Sequence, residues 1–257
     1  MSEPRKCALL VAYHGGNFFG FQRQPGKPTI QEELEAAWFA VSSEKVVMYG
    51  SGRTDSGVHA WGQVVHCATE SKMPVDKMAR AINAHLPEEV VVRAGVDVPS
   101  DFHAQASSIG KRYFYRLALG NPRPVLHTGL VAWDSSPTLD LLAMRQGAAF
   151  LLGEHDFSAF AAAGRSTKTS VRRLRAFHIR PSRGGVVFYM DGSGFLYKMV
   201  RNLVGSLLEV GKGRRAPDWV ETVLESGDRK RAGATAPAEG LVLWRSLYPK
   251  DPFSPLL

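Results

Sequence analysis

Apolar and polar positions along the chain fall into a repeating order of elements. Cys7 to Tyr13 (CALLVAY) is a continuous apolar run closed by Gly15-Gly16, the mark of a buried strand. Ile30, Leu34, Ala37 and Val41 recur at helical spacing, and Thr29 with Glu32 three residues on predicts a capping box opening a helix over 30–42. Strands are predicted over 45–50 and 62–68, a helix over 75–86 and a strand over 89–98. Strand, helix, strand, strand, helix, strand is the split βαβ, or ferredoxin-like, order.

The remainder echoes that order. Strands are predicted over 111–119 and 129–133, then a helix over 139–152 with Leu142, Met144, Ala148 and Leu151-Leu152 on its apolar positions. Strands over 172–180 and 184–191 flank a turn at Pro181 to Arg183; helices over 196–211 and 218–225 and a strand over 241–247 follow. The expected fold class is α+β: two ferredoxin-like lobes with mostly antiparallel sheets and a central cleft, the first spanning 1–105 and the second 106–257. Ligand sites favour such interfaces.

Composition narrows the classes. The chain has 257 residues, 44% of them apolar, enough to bury a sizeable core without disulfides or a structural metal. The apolar run from Cys7 to Tyr13 is too short to span a membrane. Two cysteines, Cys7 and Cys67, leave no disulfide framework and no four-thiolate zinc site within one chain, so a cytoplasmic protein is the default. His59, His66, Cys67, His85 and His103 are scattered without a ligand pair at zinc spacing, and no metal is expected.

Charge is more informative. The formal net charge is +8, and the 108–183 segment, with 12 basic and four acidic residues, carries an excess of that same size. A localised basic block is the footprint of a polyanion partner, because each neutralised phosphate releases counterions. Arg165, Lys168 and Arg172, within the stretch from Arg165 to Arg175, are the foremost phosphate-contact candidates, together with Arg23 and Lys111.

The densest candidate for chemistry is the loop from Gly50 to Ala60 (GSGRTDSGVHA), set between two predicted strands and rich in glycine. It is read either as a plain turn or as a rigid platform holding Arg53 and Asp55. A neighbouring guanidinium favours an ionised carboxylate, and a positioned carboxylate can act as a nucleophile. Tyr113 and Tyr115 share one face of a predicted strand, and Arg201 is a charge on an otherwise apolar helix that calls for a partner.

GRTDSGVHA resembles the signature loop of the A-class tRNA pseudouridine synthases. So do YHGGNFFGFQRQPGKPTIQEELE (13–35), FHAQASSIGKRYFYRL (102–117), LLGEHDFSAF (151–160), FLYKMVRNLVGSLLEVG (195–211) and ATAPAEGL (234–241), in the family's order. His14, Phe21 and Ser56 stand where that family usually has Asp, Trp and Ala. The resemblance implies isomerisation of uridine to pseudouridine at positions 38, 39 and 40 of the tRNA anticodon stem-loop, without cofactor or metal, by a homodimer. It also implies Asp55 as the catalytic aspartate with Arg201 its partner, and Tyr113, Arg53, Arg201 and Phe195 as substrate-binding residues. Tyr115 is expected to be a buried strand residue and His59 a loop stabiliser.

Two other readings are weighed. A tRNA-binding or RNA-folding module on the same scaffold would lack the aspartate that Asp55 supplies. A carboxylate-dependent hydrolase would need a second carboxylate as acid/base partner, and no motif block offers one.

Overall fold

The computed structural model describes residues 5–164 and 169–254, which form mixed α+β structure with mostly antiparallel strands and five helices. The chain divides into two compact units. Unit 1 runs up to Ile109 and takes in the stretch from Leu243 onward; unit 2 is Gly110–Val242.

Unit 1 contains β1 (Arg5–Tyr13), α1 (Ile30–Ser42), β2 (Tyr49–Gly50), β3 (His59–Thr69), α2 (Val75–Asn83) and β4 (Val90–Val98). Its strands lie in the order β4-β1-β3, with β2 also on β3, all antiparallel, as the split βαβ order requires. Cys7 and Cys67 sit directly opposite each other as free thiols with their sulfurs 3.5 Å apart. Leu34 and Trp38 of α1 and Met78 and Ile82 of α2 are fully buried, each burial worth about 1.5–3 kcal/mol. A second cluster packs Ala8, Leu10 and Val64 against Ala104, Tyr248 and Phe253, and Tyr248 donates a hydrogen bond to the Ala104 carbonyl at 2.7 Å.

Local differences from the expected elements have physical causes. α1 begins where predicted, but Thr29 caps nothing through its side chain. The carbonyls of Gly20 and Phe21 accept from Ile30 N and Gln31 N and satisfy the first turn instead. The strand expected over 45–50 shrinks to Tyr49–Gly50 because Met48 N donates to Glu35 Oε1 rather than to a neighbouring strand. α2 ends at Asn83, whose side-chain amide makes a reciprocal pair with the backbone of Val92 (2.9 and 2.8 Å).

Unit 2 contains β5 (Gly110–Leu119), β6 (Ala132–Asp134), α3 (Leu141–Ala149), β7 (Gly153–Asp156), β8 (Val171–Ser182), β9 (Gly185–Gly192), α4 (Met199–Gly211) and α5 (Trp219–Ser226). The order β5-β9-β8-β7 is antiparallel throughout, and β6 lies parallel to β5. The short β7 has no hydrophobic pattern of its own and was not predicted. α3 stops at Ala149, so Leu152, expected on its apolar face, is exposed, as is Leu142. α4 begins at Met199, after Lys198 in a left-handed conformation (φ 58°), rather than at 196. β10 (Leu241–Leu247) begins in unit 2 and ends in unit 1, where it lies beside β3.

Candidate functional site

Asp55 belongs to the 51–58 loop joining β2 to β3, and the loop is braced at nearly every residue. Ser51 is fully buried; its hydroxyl donates to Gln63 Oε1 at 2.6 Å and lies 2.6 Å from Ser246 Oγ. Gln63, a buried amide within an apolar strand, donates to the Gly52 carbonyl at 2.7 Å. Thr54 Oγ1 lies 2.8 Å from the Tyr13 hydroxyl, and the Thr54 carbonyl accepts from Phe21 N at 3.1 Å. Val58 N closes a turn on the Asp55 carbonyl at 3.1 Å. Ser56 Oγ donates to the Phe18 carbonyl at 3.2 Å.

Close approach of the 14–21 segment completes the clamp. Gly20 adopts φ +89°, and a Cβ there would stand 2.6 Å from the Thr54 carbonyl oxygen, so both conformation and space require glycine. Phe21 is core: its ring occupies the space a side chain at Gly50 would need. His59 Nδ1 accepts from Gly15 N at 3.0 Å, and its ring lies 4.6 Å from that of His14, so His59 braces the loop. Asp55 is thereby presented, half-buried, on a backbone fixed from two sides, while Arg53 on the same loop is exposed.

Unit 2 holds the remaining expected residues. Tyr113 lies buried in β5 and meets Phe195 edge-on, with ring centroids 5.1 Å apart at 81°. Tyr115 is fully buried and donates to the Pro237 carbonyl at 3.0 Å; burial holds its phenol well above the ordinary range, and its role is structural. Arg201 is half-buried in the first turn of α4 and donates through Nε to the Ala236 carbonyl at 2.7 Å.

The phosphate-contact candidates separate. Arg165 and Lys168 lie outside the described residues. Arg23 pairs with the buried carboxylate of Glu35, which also accepts from Gln31 and Met48. Lys111 and Arg172 are close enough to interact; burial foremost, and then the Arg172 charge, lower the Lys111 ammonium to about 8. Arg112 and Arg175 converge on Asp191 at 2.8 and 2.7 Å, so two arginines of the basic block hold β5 and β8 to β9.

Sequence reasoning missed Tyr13, Gln63, Asn202 and Arg229. A polar residue inside an apolar run, as at Gln63 or Asn202, was the available signal. Among the described residues no three His, Cys, Asp or Glu side chains are grouped as a metal site needs, and no helix is long and apolar enough to cross a membrane.

The class this fold and loop define is an α+β protein that presents a half-buried carboxylate, Asp55, on a braced loop. A family model described as tRNA pseudouridine synthase matches residues 9–105 and 148–249. The chain is 39% identical over 244 residues to tRNA pseudouridine synthase A 2 of Clostridium perfringens, spanning 95% of this chain and 100% of that one. Identity is 41% to tRNA pseudouridine synthase A of Geobacillus kaustophilus, over 96% and 95% of the two chains. For the Myxococcus xanthus protein of that name it is 43%, over 96% and 93%. The chain belongs to the tRNA pseudouridine synthase family.

Proposed function

We propose that this protein isomerises uridine to pseudouridine at positions 38, 39 and 40 of the tRNA anticodon stem-loop, with Asp55 as the nucleophile. The observation that carries the reading is the bracing of the GRTDSGVHA loop, which holds one carboxylate on a fixed backbone within a chain of this family. A preorganised group loses little freedom on reaching the transition state. The ionised Asp55 attacks an electrophilic carbon of the uridine, on the ribose or on the base. The N1–C1′ bond breaks, the uracil turns, C5 bonds to C1′, and the bond to Asp55 breaks, which returns the free carboxylate. The C5 proton leaves to water and N1 gains one, so the product is an isomer and no electrons are exchanged.

Tyr113 and Phe195 are assigned to the extruded base, which an aromatic pair contacts by ring surface and edge. Arg53 and Arg201 are assigned to the substrate as cations, and Arg23, Arg165, Lys168, Arg172 and Lys111 to the phosphate backbone, where contacts position without reading sequence. The family resemblance supports a homodimer working in the cytoplasm, where tRNA is processed. Sedimentation of the 28.2 kDa chain at twice that mass is the expected result.

The test uses purified protein and an unmodified tRNA transcript tritiated at uridine C5, without added metal or nucleotide. Wild type is expected to release tritium to water and Asp55→Asn to release none. Release by both would remove Asp55 from the reaction. Intact tRNA binding without release by wild type would instead make the protein a binding module.

A further inference from the structure

The environment of Arg201 is built with more care than one carbonyl contact needs. Ala236 accepts from Arg201 Nε at 2.7 Å, and its own N–H donates back to the Arg201 carbonyl at 3.1 Å. The 233–237 segment therefore lies directly against α4. It can do so because residue 205 is glycine: a Cβ there would stand 1.7 Å from the Ala234 carbonyl oxygen.

A polar knot centred on Asn202 ties the segment to α4 next to Arg201. Asn202, fully buried, donates to the Phe160 carbonyl at 2.7 Å and accepts from Arg229 Nη2 at 3.0 Å and Thr235 Oγ1 at 2.7 Å. Arg229 also donates to Thr235 Oγ1 at 3.1 Å and to the Ala232 and Gly233 carbonyls at 3.3 and 3.0 Å. Ser206 Oγ donates to the Asn202 carbonyl and accepts from Gly233 N, both at 2.9 Å. Satisfied networks of this kind rigidify what they touch.

We propose that Asn202, Arg229 and Thr235 are positioning residues for Arg201: their knot fixes the Ala236 carbonyl, and that carbonyl sets the direction of the Arg201 guanidinium. Among the described residues, the hydrogen bonds of the knot join α4 to Phe160 and to the 229–236 segment, and its effect on chemistry is assigned to Arg201. The inference rests on the proposed function insofar as Arg201 serves the reaction. An ångström of misplacement in such a group costs up to about a hundredfold in rate.

Thr235→Val keeps shape and removes the hydroxyl, and Thr235→Ser restores it. Single-turnover tritium release is expected to slow about tenfold in Thr235→Val with tRNA affinity held, and to recover in Thr235→Ser. In an Arg201→Lys background, which lacks the Nε–H, Thr235→Val should slow release no further. An equal slowing in both backgrounds, or none in wild type, would overturn the proposal. A second readout is independent of turnover. The Arg201 Nε–H resonance, assigned by its loss in Arg201→Lys, should exchange with water at least about tenfold faster in Thr235→Val, as expected when its acceptor is no longer held. Unchanged exchange refutes the knot's role, whereas no tritium release from wild type refutes the isomerase reading alone.

Discussion

The phenolic oxygen of Tyr13 lies 2.8 Å from Thr54 Oγ1, so β1 is fastened to the residue immediately before Asp55. Burial holds the Tyr13 phenol above its ordinary range, outweighing the hydrogen bonds of Thr54 and Gln63, and it stays neutral. Tyr13→Phe leaves the buried Thr54 hydroxyl without this partner, at a cost of about 1–2 kcal/mol. Denaturant unfolding should show that loss, and tritium release should slow roughly tenfold as Asp55 loses its anchor. Lower stability with an unchanged rate would mean that Tyr13 does not position the loop.

Gly20→Ala combines two penalties, a left-handed φ of +89° and a Cβ 2.6 Å from the Thr54 carbonyl oxygen. A destabilisation of about 2–3 kcal/mol is expected by thermal or urea unfolding. Gly26→Ala serves as control, because its φ is +67° but nothing lies within 4 Å of the added atom. It should cost only about 1 kcal/mol, the strain alone.

His66 is held neutral. Burial first, then the charges of His103 and Lys6, lower it to about 4 from an ordinary 6.5. Between those values the unfolded chain binds a proton that the folded chain refuses, so stability falls as pH drops from 6.5 towards 4. His66 Nδ1 accepts from Ala104 N at 3.2 Å, and His66→Gln can retain an acceptor there. Its unfolding free energy should lose roughly 2 kcal/mol less than wild type across that acid window. Parallel curves would discount His66.

Lys111 works in the opposite pH range. Its folded value of about 8 lies below the ordinary 10.5, so stability rises with pH between the two and the full burial penalty is present below about 8. Lys111→Met should therefore stabilise the protein at pH 7 by on the order of 1–2 kcal/mol, a gain that fades as pH rises from about 8 towards 10.5. The same change should weaken tRNA binding and flatten its salt dependence by about one phosphate contact. Stability and affinity moving together would separate Lys111 from the RNA.

Period and motif made much of this molecule legible. The continuous apolar run of 7–13, the helical spacing of 30–42 and the apolar pattern of 241–247 recovered β1, α1 and β10 to within two residues, because β1 is buried on both faces and the others bury an apolar side. What escaped was decided by partners distant in sequence. Met48 left the strand pattern for Glu35, Thr29 was relieved of capping by Gly20 and Phe21, and β7 forms on β8 with only four residues. At the candidate site, Asp55 stood out through its glycine-rich loop. Tyr13, Ser246 and Arg229 did not, since a hydrogen-bonding partner carries no local periodicity, and Asn202 was marked only as a polar residue in an apolar run. Arg112 and Arg175 look like RNA contacts by charge alone, and only geometry shows them sharing Asp191.

The passage of β10 from unit 2 back into unit 1 sets an order on biosynthesis. Ser51 opens the Asp55 loop but lies against Ser246, made 195 residues later, and the cluster under Ala8 and Leu10 needs Tyr248 and Phe253. On the ribosome the first unit to emerge is thus the last to close. Until then the cluster under Ala8 and Leu10 lacks Tyr248 and Phe253, while the chain of unit 2 up to Val242 has already been made.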